Sequence, residues 1–116
     1  MKFNVNNFLA QGHAAYAQQM IARGYPRALL RSISPMVNKH VVCADGFSVS
    51  IQASHSHHCE PRQDEGPWIE VELGFPNMPV PSLDRWADGD PETAEVYAWV
   101  PVGVVEELIA SHGGAV

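Results

Sequence analysis

At 116 residues, with 46% hydrophobic and 17% charged residues, the chain has the size and composition of one folded domain and excludes a largely disordered polymer. No apolar run approaches the roughly 20 residues that span a bilayer, and the first residues lack the basic, apolar, small-residue order of a signal peptide. A cytoplasmic protein with no membrane partner is expected, its Cys43 and Cys59 kept as free thiols. The net charge of −6 is unevenly spread, because residues 1–43 carry Lys2, Arg23, Arg27, Arg31 and Lys39 with no acid, whereas residues 44–116 carry all 13 acids against Arg62 and Arg85. A phosphate backbone would be repelled over most of such a chain, which excludes generic binding of genomic nucleic acid. The plain reading of the asymmetry is that basic helices pack against an acidic sheet of the same or a neighbouring subunit.

From Asn6 to Ile33 the apolar residues Phe8, Leu9, Ala15, Tyr16, Met20, Ile21, Leu29, Leu30 and Ile33 recur at helical spacing, with Asn6 or Asn7 as candidate cap. Gly24 suits the end of one helix and Pro26 the start of another, so two helices joined at Gly24 and Tyr25 are expected, the second stopped at Ser34 and Pro35. "NKHVVCADGFSVSIQAS" then changes period. Ala44, Asp45 and Gly46 form a turn, and the following arm alternates Phe47, Val49, Ile51 and Ala53 with Ser48, Ser50, Gln52 and Ser54, predicting a hairpin with one apolar and one polar face.

"PWIEVELGF", opened by Trp68 or Ile69, and "AEVYAWV" predict two more strands. Between them "PNMPVPSLDRWADGDPE" is too rich in proline for a central strand and is expected to serve as a lid or an inter-subunit arm. Pro101 opens a short amphipathic helix carrying Val104, Val105, Leu108 and Ile109, and Gly113 ends it. The expected fold is α+β in a single domain, 1–116. It comprises a helical N-terminal segment (1–36), an antiparallel meander of about four strands (37–100) and a C-terminal helix (101–113).

The chemistry concentrates in "SHSHHCEPR". A zinc site would need about four converging ligands, and His55, His57, His58 and Cys59 sit too close together to encircle one ion without a distant partner such as His40, Cys43 or His112. Cys59 and His57 share a side of an extended chain, as a nucleophile and its base would, but no oxyanion turn accompanies them. A recognition loop uses the same residues differently: imidazole rings stack on a base, the Arg62 fork pairs a phosphate, and Ser and Gln bond sugar hydroxyls. A solvated turn between Pro61 and Gly66 is the ordinary alternative. Arg27 and Arg31, four apart on one helical face, offer a second phosphate clamp or a solvated stripe.

"DGFSVSIQAS", "HHCEPR", "EGPWIEVELGFP" and "YAWVPVGVVEELIASHGG" resemble a recurrent family of small phage and prophage proteins, over residues 40–114. In size and in its meander-plus-helix character the chain is also similar to the Thoeris anti-defence sponge family. That resemblance implies a phage protein, acting in the cytoplasm of an infected bacterium, that sequesters a cyclic ADP-ribose isomer or cyclic oligonucleotide without cleaving it, as a homo-oligomer. The pocket residues it implies here are Arg62 and Phe75, joined by His57. The C-terminal helix carries no arginine, so Arg27 and Arg31 stand in for the remaining clamp. On this reading the chain has no catalytic residue, metal or cofactor. Two alternatives remain open: a protein-binding, anti-CRISPR-like inhibitor using the acids Asp84, Asp88, Asp90, Glu92 and Glu95, and a small metal-dependent or Cys/His enzyme. The tryptophans Trp68, Trp86 and Trp99 serve either a core or a subunit contact.

Overall fold

The computed structural model describes residues 2–26 and 38–116. Helix α1 spans Val5–Ala22. Its cap is Asn4, whose Oδ1 accepts the Asn7 N–H at 2.8 Å, two residues before the earlier of the expected caps. Asn6 is claimed by a different partner: it exchanges two hydrogen bonds with the backbone of Trp68. Gly24 follows the helix with φ +96°, as a left-handed C-terminal cap requires. The second N-terminal helix expected from the sequence, with Arg27 and Arg31, lies outside the described residues.

Strands β1 (Val41–Val42), β2 (Ser48–Gln52), β3 (Glu70–Gly74) and β4 (Val96–Pro101) form one antiparallel sheet in the order β1-β2-β3-β4. This is the expected α+β meander. Three hydrogen bonds close its first turn: the Cys43 N–H donates to the Phe47 carbonyl (2.8 Å), the Gly46 N–H to the Cys43 carbonyl (3.0 Å) and the Phe47 N–H to the Asp45 carboxylate (2.9 Å). Gly46 sits there at φ +92°, where a Cβ would be strained whatever the space around it. Helix α2 spans Val102–Ser111. The tail after it returns along the outer edge of β1, pairing Val116 N–H with the Val42 carbonyl and Ala44 N–H with that of Gly114, so part of the edge is covered.

The inward residues of the hairpin, Phe47, Val49, Ile51 and Ala53, are fully buried with Val71, Leu73, Val100, Val105 and Ile109, and α1 adds Val5 and Leu9. The polar face of β2 is not left to solvent: Ser50, Gln52 and Ser54 are buried as well. Asn38 lies over it, its backbone N–H and side-chain amide both donating to Gln52 Oε1, while Gln52 Nε2 donates back to the Asn38 carbonyl and to Ser50 Oγ. A buried polar layer is sustained because its groups are paired. Asn38 in turn rests against α1 where Gly12 leaves room; a Cβ there would overlap its Oδ1.

The proline-rich connector, expected as a lid or an inter-subunit arm, packs on its own chain. It contains a 3-10 helix, Pro81–Trp86, whose Leu83 is wholly buried, and its Asp88 N–H and Ala87 join the edge of β4. Strand β3 begins at Glu70, after Trp68 and Ile69; Trp68 is core and Ile69 is exposed. Gly46→Ala is expected to lower stability by about 1–2 kcal/mol through its φ alone. Gly12→Ala should cost about 1–3 kcal/mol by displacing Asn38. Chemical denaturation of both variants measures these losses.

Candidate functional site

The loop between β2 and β3 is built, not slack. Glu60 pairs with Glu70, and Ile69 N–H donates to the Glu60 carbonyl at 2.8 Å, so the chain leaves and re-enters the sheet at one point. Within the loop each histidine has its own attachment. His55 Nδ1 donates to the Asp64 carboxylate at 2.7 Å, and the same oxygen accepts the His55 N–H. His57 Nδ1 and Ser54 Oγ are 2.6 Å apart. The His58 N–H donates to a Glu72 carboxylate oxygen that also lies 3.5 Å from its Nδ1. A fourth imidazole arrives from α1: His13 Nδ1 donates to the Asp64 carbonyl at 2.9 Å, and its ring meets Trp68 edge-on.

Burial holds His57 below the ordinary histidine range, with the neighbouring His13, His55 and His58 acting in the same direction and Glu72 opposing them. His57 is therefore neutral at pH 7. Cys59 is 1% exposed; its thiol points at the carbonyls of Ser54 (3.3 Å) and Pro61 (3.4 Å), and burial pushes its pKa up. A protonated thiol facing two carbonyls is not an activated nucleophile. Ser54, the hydroxyl on His57, is wholly buried and has no approach for a substrate. Among the described residues no three His, Cys, Asp or Glu groups are arranged to hold a metal ion.

The exposed part of the site comes from β4. Opposite the single residue Glu72 of β3, between the pairs Val71↔Val100 and Leu73↔Tyr97, β4 places two residues, Ala98 and Trp99. This is a β-bulge, a device that turns a side chain out of the ladder. Trp99 takes φ +51°, an outlier for a bulky residue. Its N–H, freed from β3, donates to the His58 carbonyl at 3.1 Å, and its indole stacks on the His58 ring with centroids 5.0 Å apart. The indole remains 46% exposed.

Of the residues expected in a pocket, His57 and Arg62 share this loop, with Arg62 exposed. Phe75 does not join them. It lies past the far end of β3, about 16 Å along the strand from Glu70 at ~3.3 Å per residue, and is 53% exposed at φ +52°. Arg27 and Arg31 are outside the described residues. Trp99 and Glu72 belong to the site without having been singled out for it. The one sequence signal for Trp99 was an aromatic on a strand whose alternation continues on the wrong side.

Comparisons with protein-family models, with curated proteins and with solved structures find no match to this chain. No helix among the described residues is long and apolar enough to cross a membrane.

The low pKa of His57 has a consequence for stability. The unfolded histidine takes up a proton near pH 6.5 while the folded one resists it, so below that pH the unfolded state binds more protons and the fold loses stability. Denaturation midpoints should fall as pH drops from 7.5 through 6 toward 5. His57→Gln, which cannot titrate, should flatten that slope; an unchanged slope would assign it to other groups.

Proposed function

We propose that the chain is a capture protein for a small anionic ligand with a planar ring, and that it holds the ligand without cleaving it. The observation that carries this reading is Trp99, a half-exposed indole kept in a left-handed backbone conformation and backed by His58. Backbone strain at a solvent-facing aromatic points to a ligand surface, because the fold alone gains little from it. A nucleobase stacks on such a platform at about 1–3 kcal/mol per base. The exposed Arg62 on the same loop supplies a planar fork for a phosphate.

Retention without turnover accords with the chemistry of the loop, where the thiol is protonated and buried, the serine is inaccessible and His55 and His57 are engaged at Nδ1. Cyclic nucleotides that act as bacterial immune signals combine a base, a sugar and phosphates in the required size. The resemblance to phage anti-defence sponges leads to the same class, with a homo-oligomer in the cytoplasm of the infected cell as its setting.

The test is calorimetric titration of the tag-free protein with a panel of cyclic ADP-ribose isomers and cyclic di- and trinucleotides, followed by mass spectrometry of the ligand released on heating. Saturable binding and return of the intact ligand are expected. Trp99→Ala should weaken it roughly ten- to hundredfold, and so should Arg62→Ala. Trp99→Gly suits the backbone conformation and removes the ring, so it should keep the fold and lose the ligand. A converted ligand, or no binding across the panel, overturns the proposal.

A further inference from the structure

Trp99 has a counterpart. Among the described residues the other non-glycine residue with positive φ is Phe75, also aromatic and also exposed, directly after the last residue of β3. Its position is enforced: the Phe75 N–H donates to the Glu95 carbonyl at 2.7 Å, and Pro76 follows. Two residues on, Asn77 is locked to the first hairpin, accepting the Ser48 N–H (2.8 Å) and donating to the Gly46 carbonyl (2.9 Å) through its side chain. The ring is therefore held outward from both sides.

Beside it opens a cleft of about 540 Å³ whose walls include Phe75, Met78 and Tyr97 together with the carboxylates of Asp84, Glu92 and Glu95. That volume is within the range of ligand pockets, ~300–1,000 Å³. Among the described residues no Lys, Arg or His lines the cleft. The one cation of the connector, Arg85, instead lies over the Trp86 ring with its guanidinium carbon 5.0 Å from the centroid. An apolar, aromatic wall and several carboxylates with no cation among the lining residues make a surface complementary to a side chain that is positive at its tip and apolar along its stem.

We infer that this cleft is a docking site for a basic segment of a partner protein, with an arginine or lysine seated against the Phe75 ring and the Asp84, Glu92 and Glu95 carboxylates. The contact combines cation–π attraction with charge-assisted hydrogen bonds. The acidic charge of residues 44–116 steers such a segment toward it. The inference stands apart from ligand capture at Trp99, since it uses none of the same side chains.

The experiment is fluorescence anisotropy of the full chain with a labelled ten-residue peptide of Gly, Ser, Pro and two arginines, at about 50 mM and 200 mM salt, beside the same peptide carrying citrulline. Saturable binding that requires arginine is expected. Phe75→Ala should weaken it roughly three- to thirtyfold, with Phe75→Gly as the variant that keeps the backbone conformation. Glu92→Gln and Glu95→Gln together should weaken it and reduce its salt dependence. Asp88→Asn and Glu107→Gln, the same charge changes away from the cleft, should leave affinity within about twofold. Equal losses in these controls, equal binding of the citrulline peptide, or no binding would overturn the inference. Salt-sensitive self-association in analytical ultracentrifugation, abolished by Phe75→Gly, would overturn it in favour of a second copy as occupant.

Discussion

The hydrogen bond from the Trp99 N–H to the His58 carbonyl depends on one extra residue in β4. Without the bulge that amide would point into the β3 ladder and the histidine loop would have no anchor on the sheet at this point. With it, His58 is tied to β4 through Trp99 and to β3 through Glu72. The Glu60 and Glu70 pairing closes the loop's base, and α1 clasps its far side through Asn6 and His13. A segment of this length without regular structure is uncommon unless it serves a site. Its surface is organised before any ligand arrives, which lowers the ordering cost of binding.

The parts of the fold that follow a short period were legible. Alternation marked β2, β3 and β4, Asp45 and Gly46 marked the turn, and Pro101 and Gly113 bracketed α2 within a residue or two. What escaped was decided by tertiary partners. Ser50, Gln52 and Ser54 were legible as a polar face but not as a buried one: Asn38 pairs Gln52, Gln52 pairs Ser50, and Ser54 pairs within the histidine loop. Asn4, Asn6 and Asn7 are equivalent as caps by chemistry; the backbone of Trp68 removes Asn6 from the choice. Leu83 and Trp86 were hidden in a run of prolines, where the prolines start a 3-10 turn that packs on β4 rather than preventing structure.

The site was legible by composition and not by arrangement. Histidines, Cys59 and Arg62 in one loop invited three chemistries, and spacing alone does not tell them apart. Burial does. It keeps Cys59 protonated and His57 neutral, and His13 and His55 are held by two different oxygens of Asp64 while His57 meets Ser54. The outward turn of Trp99 and Phe75 was the least legible feature of all, because positive φ at Trp or Phe runs against every local preference from which a sequence is read.

That mismatch bears on function. A left-handed conformation costs an L-residue roughly 1–2 kcal/mol, and glycine would avoid the cost at either position. Burial of side chains such as Ile51, Leu73 and Val100, at about 1.5–3 kcal/mol each, is large enough for the fold to sustain two such residues, but it does not require them. Trp99 gains a stack on His58, and Phe75 only the rim of an open cleft. Both keep about half their surface in water. At these two positions the interaction that would offset the strain is therefore expected from outside the chain.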